Sequence, residues 1–577
     1  VRRFPHVFYL PLLLLGVFLI AFTVSSDFSQ DLGRHLALGK IMVETHSVPS
    51  VNAFSYTNGT YPFLNHHWLA EVFFFLLFRA GGIGALQVLK VFLLFACVGI
   101  AYMTAVRFAR PILTVGIGLV LLPFLVERSD IRPELIGYVL FSLLLWYVCN
   151  PDIQKKFSWL PVPVMAVWIN VHISFVFGFV LLGVHAISGL VRWHENSKRY
   201  KPVLKILLIC AASVAVLFVN PQGLDGIAYP FRIFANYGYS IVENQTMFFL
   251  RGMVFNPLIT YYFLFSVPVA FGMFLLVRKR KIDHAALFLI FSLLPLWQIR
   301  HLPFFVLVAL PFLSEAYEGT IEIPARRMLK SYAVPTGIGL LGVVLGILIW
   351  FFGANTYYQA FDMSKKFGWG AVEDGKAALN YVNAHPLKGN IFNNFDNGGY
   401  LIYRLYPRYR VFVDNRPEAY PKEFFQNTYI PLQEKDEVQQ DVFRKYSIHT
   451  IIMAHTDQTP WARTFLARTI GDKRWRMVYL DSAYVIFSDD GQSADVRSDA
   501  KTLNDMLDAE TDANGYMRLM NIFLLMGKVD LAKDAFLRAQ KSNPSSCAMK
   551  RVMYEEYANS PYFYQVEELR RSSFWCL

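Results

Sequence analysis

Charge is scarce in this sequence. Only 17% of its 577 residues are Asp, Glu, Lys or Arg, where a soluble domain carries nearer a quarter. Cysteine is scarce as well. Cys97, Cys149 and Cys210 lie in apolar stretches, and Cys547 and Cys576 lie near the C-terminal end. No Cys-x-x-Cys pair and no metal-ligand spacing of cysteines occurs, which excludes the usual redox and zinc motifs. The histidines of His67-Trp68-Leu69-Ala70-Glu71 do not make the His-Glu-x-x-His helix of zinc proteases. A concentrated basic stripe is missing too. The net charge of +12 is scattered over short clusters, a poor match to a nucleic-acid surface. Gly337-Ile-Gly339-Leu-Leu-Gly342 matches a dinucleotide fingerprint, but no strand precedes it. Together with Gly342-x-x-x-Gly346 it reads as a site of close helix packing.

What the chain has instead is apolar length. Hydrophobic residues make up 55% and aromatics 16%. They dominate from Phe4 to about Phe352, and from Asp362 onward the sequence is mixed and charged. A bilayer-crossing helix takes ~20 residues, and by that rule the apolar part holds about eleven spans. They run from Pro5–Val24, read as an anchor rather than a signal peptide, to Val334–Phe352. The stretch around Asn170–His172 reads as a broken helix. The expected fold is a polytopic α-helical membrane domain over 1–355, a soluble α/β domain over 362–490 and a helical region over 500–577. Lys and Arg collect in cytoplasmic loops. Arg2/Arg3, Arg107/Arg110, Lys155/Lys156, Lys198/Arg199/Lys201, Arg278–Lys281 and Arg326/Arg327 all fall on the N-terminal side. The expectation is a multi-pass protein of the cytoplasmic (inner) membrane, N-terminus inside and Asp362–Leu577 outside. His66–Arg79 is then an interfacial or re-entrant segment.

The first outer loop, 25–82, holds the densest set of titratable groups. Asp31 and His35 are four apart and share a helix face, as are His67 and Glu71. Val48-Pro49-Ser50-Val51-Asn52 and Thr57-Asn58-Gly59-Thr60 are turn-forming and let the loop fold back to bring the two pairs together. Asp27 and His66 support the same cluster. Further polar groups stand at Glu127–Glu134, at Asn170-Val171-His172, in the loop after Asn220-Pro221-Gln222-Gly223, and at Arg300/His301. Ionisable groups at membrane depth are costly and mark functional cavities. The alternative is that they end helices at the headgroups.

In the last third, Val372–Ala384 and Val438–Tyr446 read as helices. Gly389–Asn393, Tyr409–Asp414 and Thr450–Met453 read as strands, and Arg476–Leu480 with Tyr484–Ser488 as an antiparallel pair. This alternation predicts an α/β sandwich, with Asp396, Asp414 and Arg416 at strand ends as candidate site residues. Leu519–Met526 and Leu531–Gln540 make a helical hairpin around Gly527. It resembles one tetratricopeptide unit, flanked by Asp505–Ala513 and Met549–Ala558, and offers a docking surface for a protein partner.

The sequence also carries Asp31-x-x-x-His35-Leu-x-x-Gly39, Pro49-x-x-Asn52-x-Phe54-Ser55-Tyr56-Thr57, His67-Trp68-Leu69-x-Glu71, Arg132-Pro133-Glu134, Trp168-x-Asn170-x-His172 and Asn220-Pro221-x-Gly223. With Asp396-Asn397-Gly398-Gly399-Tyr400-Leu401 and Phe412-Val413-Asp414-Asn415-Arg416, this set resembles bacterial membrane proteins related to the GT-C glycosyltransferases. The resemblance implies transfer of a sugar from a polyprenyl-phosphate donor on the outer face of the membrane. It also implies an acidic first-loop residue as base or metal ligand. The acidic dipeptide common in such loops is absent, since Leu32 follows Asp31. Asp31 is the candidate base, with His35 beside it. Arg128, His172 and Arg300 are candidate phosphate partners, because a guanidinium can bond two phosphate oxygens at once. Asp31, His35, His67 and Glu71 could also hold a divalent metal. The other function class is a non-catalytic scaffold that presents the soluble and helical regions for envelope assembly.

Overall fold

The computed structural model describes residues 9–24, 28, 31–195, 201–233, 237–253, 256–320, 333–360, 365–491, 493–544 and 546. Among these, six helices are long and apolar enough to cross a membrane, from Trp68–Ala105 to Ile299–Tyr317. Four shorter apolar helices accompany them: Leu10–Ala21, Glu134–Val148, Ile282–Trp297 and Gly339–Gly353. The chain is a multi-pass membrane protein followed by a small sheet domain. Leu302–Tyr317 is apolar all round up to Leu313, with Ser314 and Glu315 near its end, and every residue from Leu302 to Ala316 is buried. A helix of that kind belongs at the centre of a bundle. Around Gly339, Gly342 and Gly346 an added Cβ would meet nothing within 4 Å. The close packing expected there is not made among the described residues.

Helix α1 (Leu10–Ala21) leads to α2 (Asp31–Thr45), and α3 runs from Trp68 to Ala105. At ~1.5 Å per residue α3 is far longer than a bilayer core, and it is broken once. Gly81 has φ −148° and ψ 19°, and Gly82 has φ 61° and ψ −158°, a conformation only glycine adopts cheaply. The part before the break packs on α2. A Cβ on Gly39 would lie 2.2 Å from the Glu71 carbonyl oxygen, so the two helices meet only because residue 39 has no side chain. Helix α4 is Pro111–Leu121, and α5, Glu134–Val148, follows a 3-10 turn over Leu122–Arg128. The break expected at Asn170–His172 is present. Pro161–Trp168 ends there, His172 is extended, and its ring accepts from Ser174 N before the helix resumes at Val176.

The sheet has four strands in the order β1-β2-β4-β3. β1 (Asn390–Asn393) is parallel to β2 (Ile448–Ala454), and β4 (Tyr484–Ser488) is antiparallel to both β2 and β3 (Arg476–Leu480). The segment 409–414, expected as a strand, is not one. Its ladder partner is replaced by a side chain: Asn393 Oδ1 accepts from Phe412 N at 2.9 Å, and Asn393 Nδ2 donates to Val413 O at 2.8 Å. The backbone of Val411 bridges instead to Ser55 in the first loop.

That bridge belongs to a wider seam. Residues 50–63 fold back, with Asn52 N on Tyr61 O at 3.0 Å and Phe63 N on Ser50 O at 2.9 Å. The Tyr56 hydroxyl donates to Ile391 O at 2.8 Å, and the Thr57 hydroxyl to Phe412 O at 2.8 Å. Leu38, Met42, Phe54, Phe63 and Tyr239 from the membrane part therefore sit in one apolar core with the sheet. The helical end shares that core through Leu503, Leu519, Phe523 and Phe536. Its helices are Ala500–Ala509, Ala513–Leu525 and Val529–Ser542, with Gly527 at φ 69° turning the hairpin. Met549–Ala558, expected as a flanking helix, lies outside the described residues.

Candidate active site

The face of α2 that carries Asp31 and His35 meets the start of α3, as the spacing predicts, but the partners cross over. His35 Nδ1 lies 2.7 Å from Glu71 Oε1, and Asn65 Nδ2 donates to Glu71 Oε2 at 2.6 Å. With Nδ1 of His35 donating to Glu71, Nε2 keeps a lone pair. His67 Nδ1 donates to Val171 O at 3.1 Å. The His67 ring stacks on His172 at 5.2 Å, and His66 leans on both His67 (3.8 Å) and Tyr229 (4.9 Å). Burial first, then Arg34 beside His35 and His66 and the surrounding imidazoles beside His67, lower these groups. His66 falls to about 3, and His35 and His67 fall below their ordinary value. They are neutral at pH 7.

Asp31 pairs with arginine, not histidine. Arg34 Nη2 lies 2.9 Å from Oδ1, Arg132 Nη1 lies 3.3 Å from Oδ2, and Asn415 Nδ2 donates to Oδ1 at 2.7 Å. Burial would raise this carboxyl, but Arg132 and Arg34 outweigh it and bring it to about 2. From Asp31 an alternating ladder runs inward. Arg132 continues to Glu243 (3.0 Å), Glu243 to Arg128 (2.6 Å), Arg128 to Glu134 (3.3 Å) and Glu134 to Arg300 (3.5 Å). The ladder begins on Arg34 and ends on Arg300, so guanidiniums stand at both ends. Glu243 is held well below the carboxylate range, burial being overcome by Arg128, Arg132 and Arg300. Arg300 Nη1 also donates to Asn244 Oδ1 at 3.0 Å, and His172 Nε2 stands 3.9 Å from Glu134. Arg128, His172 and Arg300 are thus brought together, and Arg34, Arg132, Glu134 and Glu243 join them. The last four escaped the sequence reading as site residues. The visible signal of Arg132 and Glu134 was the charged run Glu127–Glu134 around Pro133, but nothing local ties Arg132 to Glu243.

A divalent metal fits poorly here. Asp31 and Glu71 spend their oxygens on the donors just named. Among the described residues no three His, Cys, Asp or Glu side chains form a group that could hold a metal ion. Asp27 lies outside the described residues.

The soluble-domain candidates divide. Arg416 forks onto Asp414, with Nε to Oδ1 at 2.7 Å and Nη2 to Oδ2 at 2.8 Å, and donates to Asn52 Oδ1 at 2.7 Å. Phe54 and Phe63 cover its guanidinium at 5.2 and 4.5 Å. Tyr420 donates to Asp414 Oδ2 at 2.8 Å. Both members of the pair are buried, and they clamp the first loop to the soluble domain. Asn415, between them, turns the other way and reaches Asp31. Asp396 follows β1 in the short turn Phe395–Asn397 and is exposed.

No protein-family model matches the sequence, and no curated protein matches it. Solved structures do. The oligosaccharyltransferase AglB from Archaeoglobus fulgidus, in complex with an inhibitory peptide and a dolichol phosphate, is similar with a TM-score of 0.54 and 10% identity, over 97% of this chain and 87% of that one. The Archaeoglobus fulgidus oligosaccharyltransferase tethered to an acceptor peptide gives 0.53 and 10%, over 85% and 74%. ArnT from Cupriavidus metallidurans, bound to undecaprenyl phosphate, gives 0.50 and 12%, over 85% and 98%. These neighbours are GT-C glycosyltransferases, and the likeness establishes a GT-C fold for this chain.

Proposed function

We propose that this chain, built on the GT-C fold, transfers a sugar from a polyprenyl-phosphate donor to an acceptor at the outer face of the cytoplasmic membrane. The observation that carries the reading is the arginine–carboxylate ladder beside Asp31. A donor phosphate competing for Arg34, Arg132, Arg128 and Arg300 meets preformed, partly buried guanidiniums. Charge-assisted bonds to such groups are about twice as strong as neutral ones. The same cations stabilise the charge that grows on the phosphate as the bond from sugar C1 to its oxygen breaks. Asp31 stands at the reacting centre, and the competing phosphate would loosen its own bonds to Arg34 and Arg132. His35, neutral and oriented by Glu71, offers Nε2 as an acceptor beside it. The apolar bundle supplies the surface for an isoprenoid tail.

The test is binding of undecaprenyl phosphate to the detergent-solubilised protein, read by native mass spectrometry. Arg132→Ala and Arg300→Ala should each weaken it by roughly 10- to 100-fold, the value of a charge-assisted contact. In proteoliposomes, Asp31→Asn should bind the lipid and lose transfer from undecaprenyl-phosphate hexoses. A wild type that binds no polyprenyl phosphate removes the reading. The orientation rests on the basic clusters that share the N-terminal side. Reporter fusions at Arg280 and Asp490 should report opposite faces. A protein partner would meet the outer side of the helical hairpin, where Leu525 and Leu537 are exposed. Leu525→Asp with Leu537→Asp should abolish co-purification of such a partner and leave lipid binding intact.

A further inference from the structure

The carboxylates around the site are nearly all spoken for. Asp31 has three donors, Glu71 has His35 and Asn65, and Glu134 and Glu243 have two guanidiniums each. Asp457 accepts from Asn394 Nδ2 at 3.1 Å and Thr459 N at 3.0 Å. Among the described residues, no hydrogen bond or ion pair engages the carboxylate of Asp396, and its side chain reaches water.

The frame that presents Asp396 is rigid. Phe395 N donates to the Tyr429 hydroxyl at 2.7 Å, and Asn397 Nδ2 donates to Ile452 O at 3.2 Å. Two contacts tie this turn to the ladder. The Phe395 ring stacks on Tyr239 at 4.1 Å, and Tyr239 shares a loop with Glu243. Gly398 presses so close to Asp414 that a Cβ would lie 2.4 Å from its Cα, and the next residue, Asn415, holds Asp31. Asp396 is thus an unengaged carboxylate on the soluble-domain side of the Asp31 centre.

We propose, on the glycosyl-transfer reading above, that Asp396 is the base that receives the proton of an acceptor hydroxyl. The acceptor oxygen bonds to sugar C1 as the bond from C1 to the phosphate oxygen breaks. The electron pair leaves with the polyprenyl phosphate, and the hydroxyl proton passes to Asp396. Asp31 stays an anion facing the positive charge that develops on the sugar. The resting chemistry of the two groups fits this division. The protein crowded around the turn, then the Asp457 and Asp31 carboxylates, raise Asp396 to about 7 although its side chain reaches water, near the optimum for a base at neutral pH. The Tyr239 and Tyr429 phenols face it as well. Glu418 is also raised by burial, but it faces Arg34 and Arg416 on the cationic side.

Two measurements decide it. Carbodiimide coupling to glycine ethyl ester, read by peptide mass spectrometry, modifies protonated carboxyls and needs no turnover. Asp396 should be half-labelled near neutral pH while Asp31 stays unlabelled. In proteoliposomes with undecaprenyl-phosphate hexoses, Asp396→Asn should lower transfer by about 10²- to 10⁴-fold. Its affinity for undecaprenyl phosphate should stay at the wild-type value. Asp396→Glu should keep part of the rate and shift the acidic limb of the pH profile. Wild-type transfer by Asp396→Asn, or labelling of Asp396 only in strong acid, overturns the proposal and leaves the lipid-binding reading standing. Absence of lipid binding by the wild type removes both.

Discussion

Arg416→Met tests the clamp between the first loop and the soluble domain. The substitution keeps most of the apolar volume between Phe54 and Phe63 but removes the fork onto Asp414 and the bond to Asn52. Breaking a buried pair by deleting one partner commonly costs about 3–5 kcal/mol, because the other charge is left behind. Here Asp414 keeps two donors, the Tyr420 hydroxyl at 2.8 Å and Arg416 N at 3.1 Å. The loss therefore belongs at the lower end, about 3 kcal/mol. For a soluble unit of this size that is a fall in Tm of roughly 6–12 °C, followed by tryptophan fluorescence in detergent. Adding Asp414→Asn removes the stranded charge and should recover about half of the loss, a coupling that a double-mutant cycle isolates. Protease should also cut the first loop faster in Arg416→Met. An unchanged Tm and unchanged cutting would show that the seam is held elsewhere. Strictly additive losses in the double variant would show that the two side chains do not act as a pair.

Gly39→Ala should separate α2 from α3, since its Cβ would lie 2.2 Å from the Glu71 carbonyl. The expected cost is about 1–3 kcal/mol, and lipid-stabilised Tm shifts should shrink with it. Gly238→Ala meets Lys422 O at 2.6 Å and should detach Tyr239 from Phe395, seen as faster proteolysis of the loop before Glu243. His66 is depressed to about 3 from 6.5. Between those values the unfolded chain binds the extra proton, so stability is full above pH 6.5 and falls as pH drops towards 3. The slope reaches ~1.4 kcal/mol per pH unit for each such histidine. His66→Gln should flatten the fall in Tm between pH 7 and pH 5, and an unaltered slope would refute the assignment.

The sequence made face-sharing legible but not partnership. The four-residue spacings of Asp31/His35 and His67/Glu71 placed each pair on one helix face. They could not say that His35 would take Glu71 while Asp31 took two arginines. Those choices depend on Gly39 letting α3 approach and on Arg132 arriving from a segment far along the chain. The reading of 409–414 as a strand failed for a related reason. Its buried apolar run Val411–Val413 is real, but the Asn393 side chain stands where a strand would be. Periodicity reports burial, not which backbone supplies the bonds. The antiparallel pair Arg476–Leu480 and Tyr484–Ser488, joined by a short turn, needs no distant partner and was readable to the residue. The Asn52–Thr57 motif was visible as a pattern, and only the fold gives its reason: it fastens the membrane part to the sheet.

That fastening sets a timetable for synthesis. Ser55 Oγ donates to Phe412 O across 357 positions of sequence. At a translation rate of about 5–20 residues per second, the first loop waits roughly 20–70 s before its partner segment exists. During that interval Asn52, Phe54 and Phe63 have no pocket to occupy, and the loop must be sheltered by lipid, insertion machinery or chaperones. Slowing translation between these two segments should lengthen the exposure and raise the fraction of chains degraded before completion.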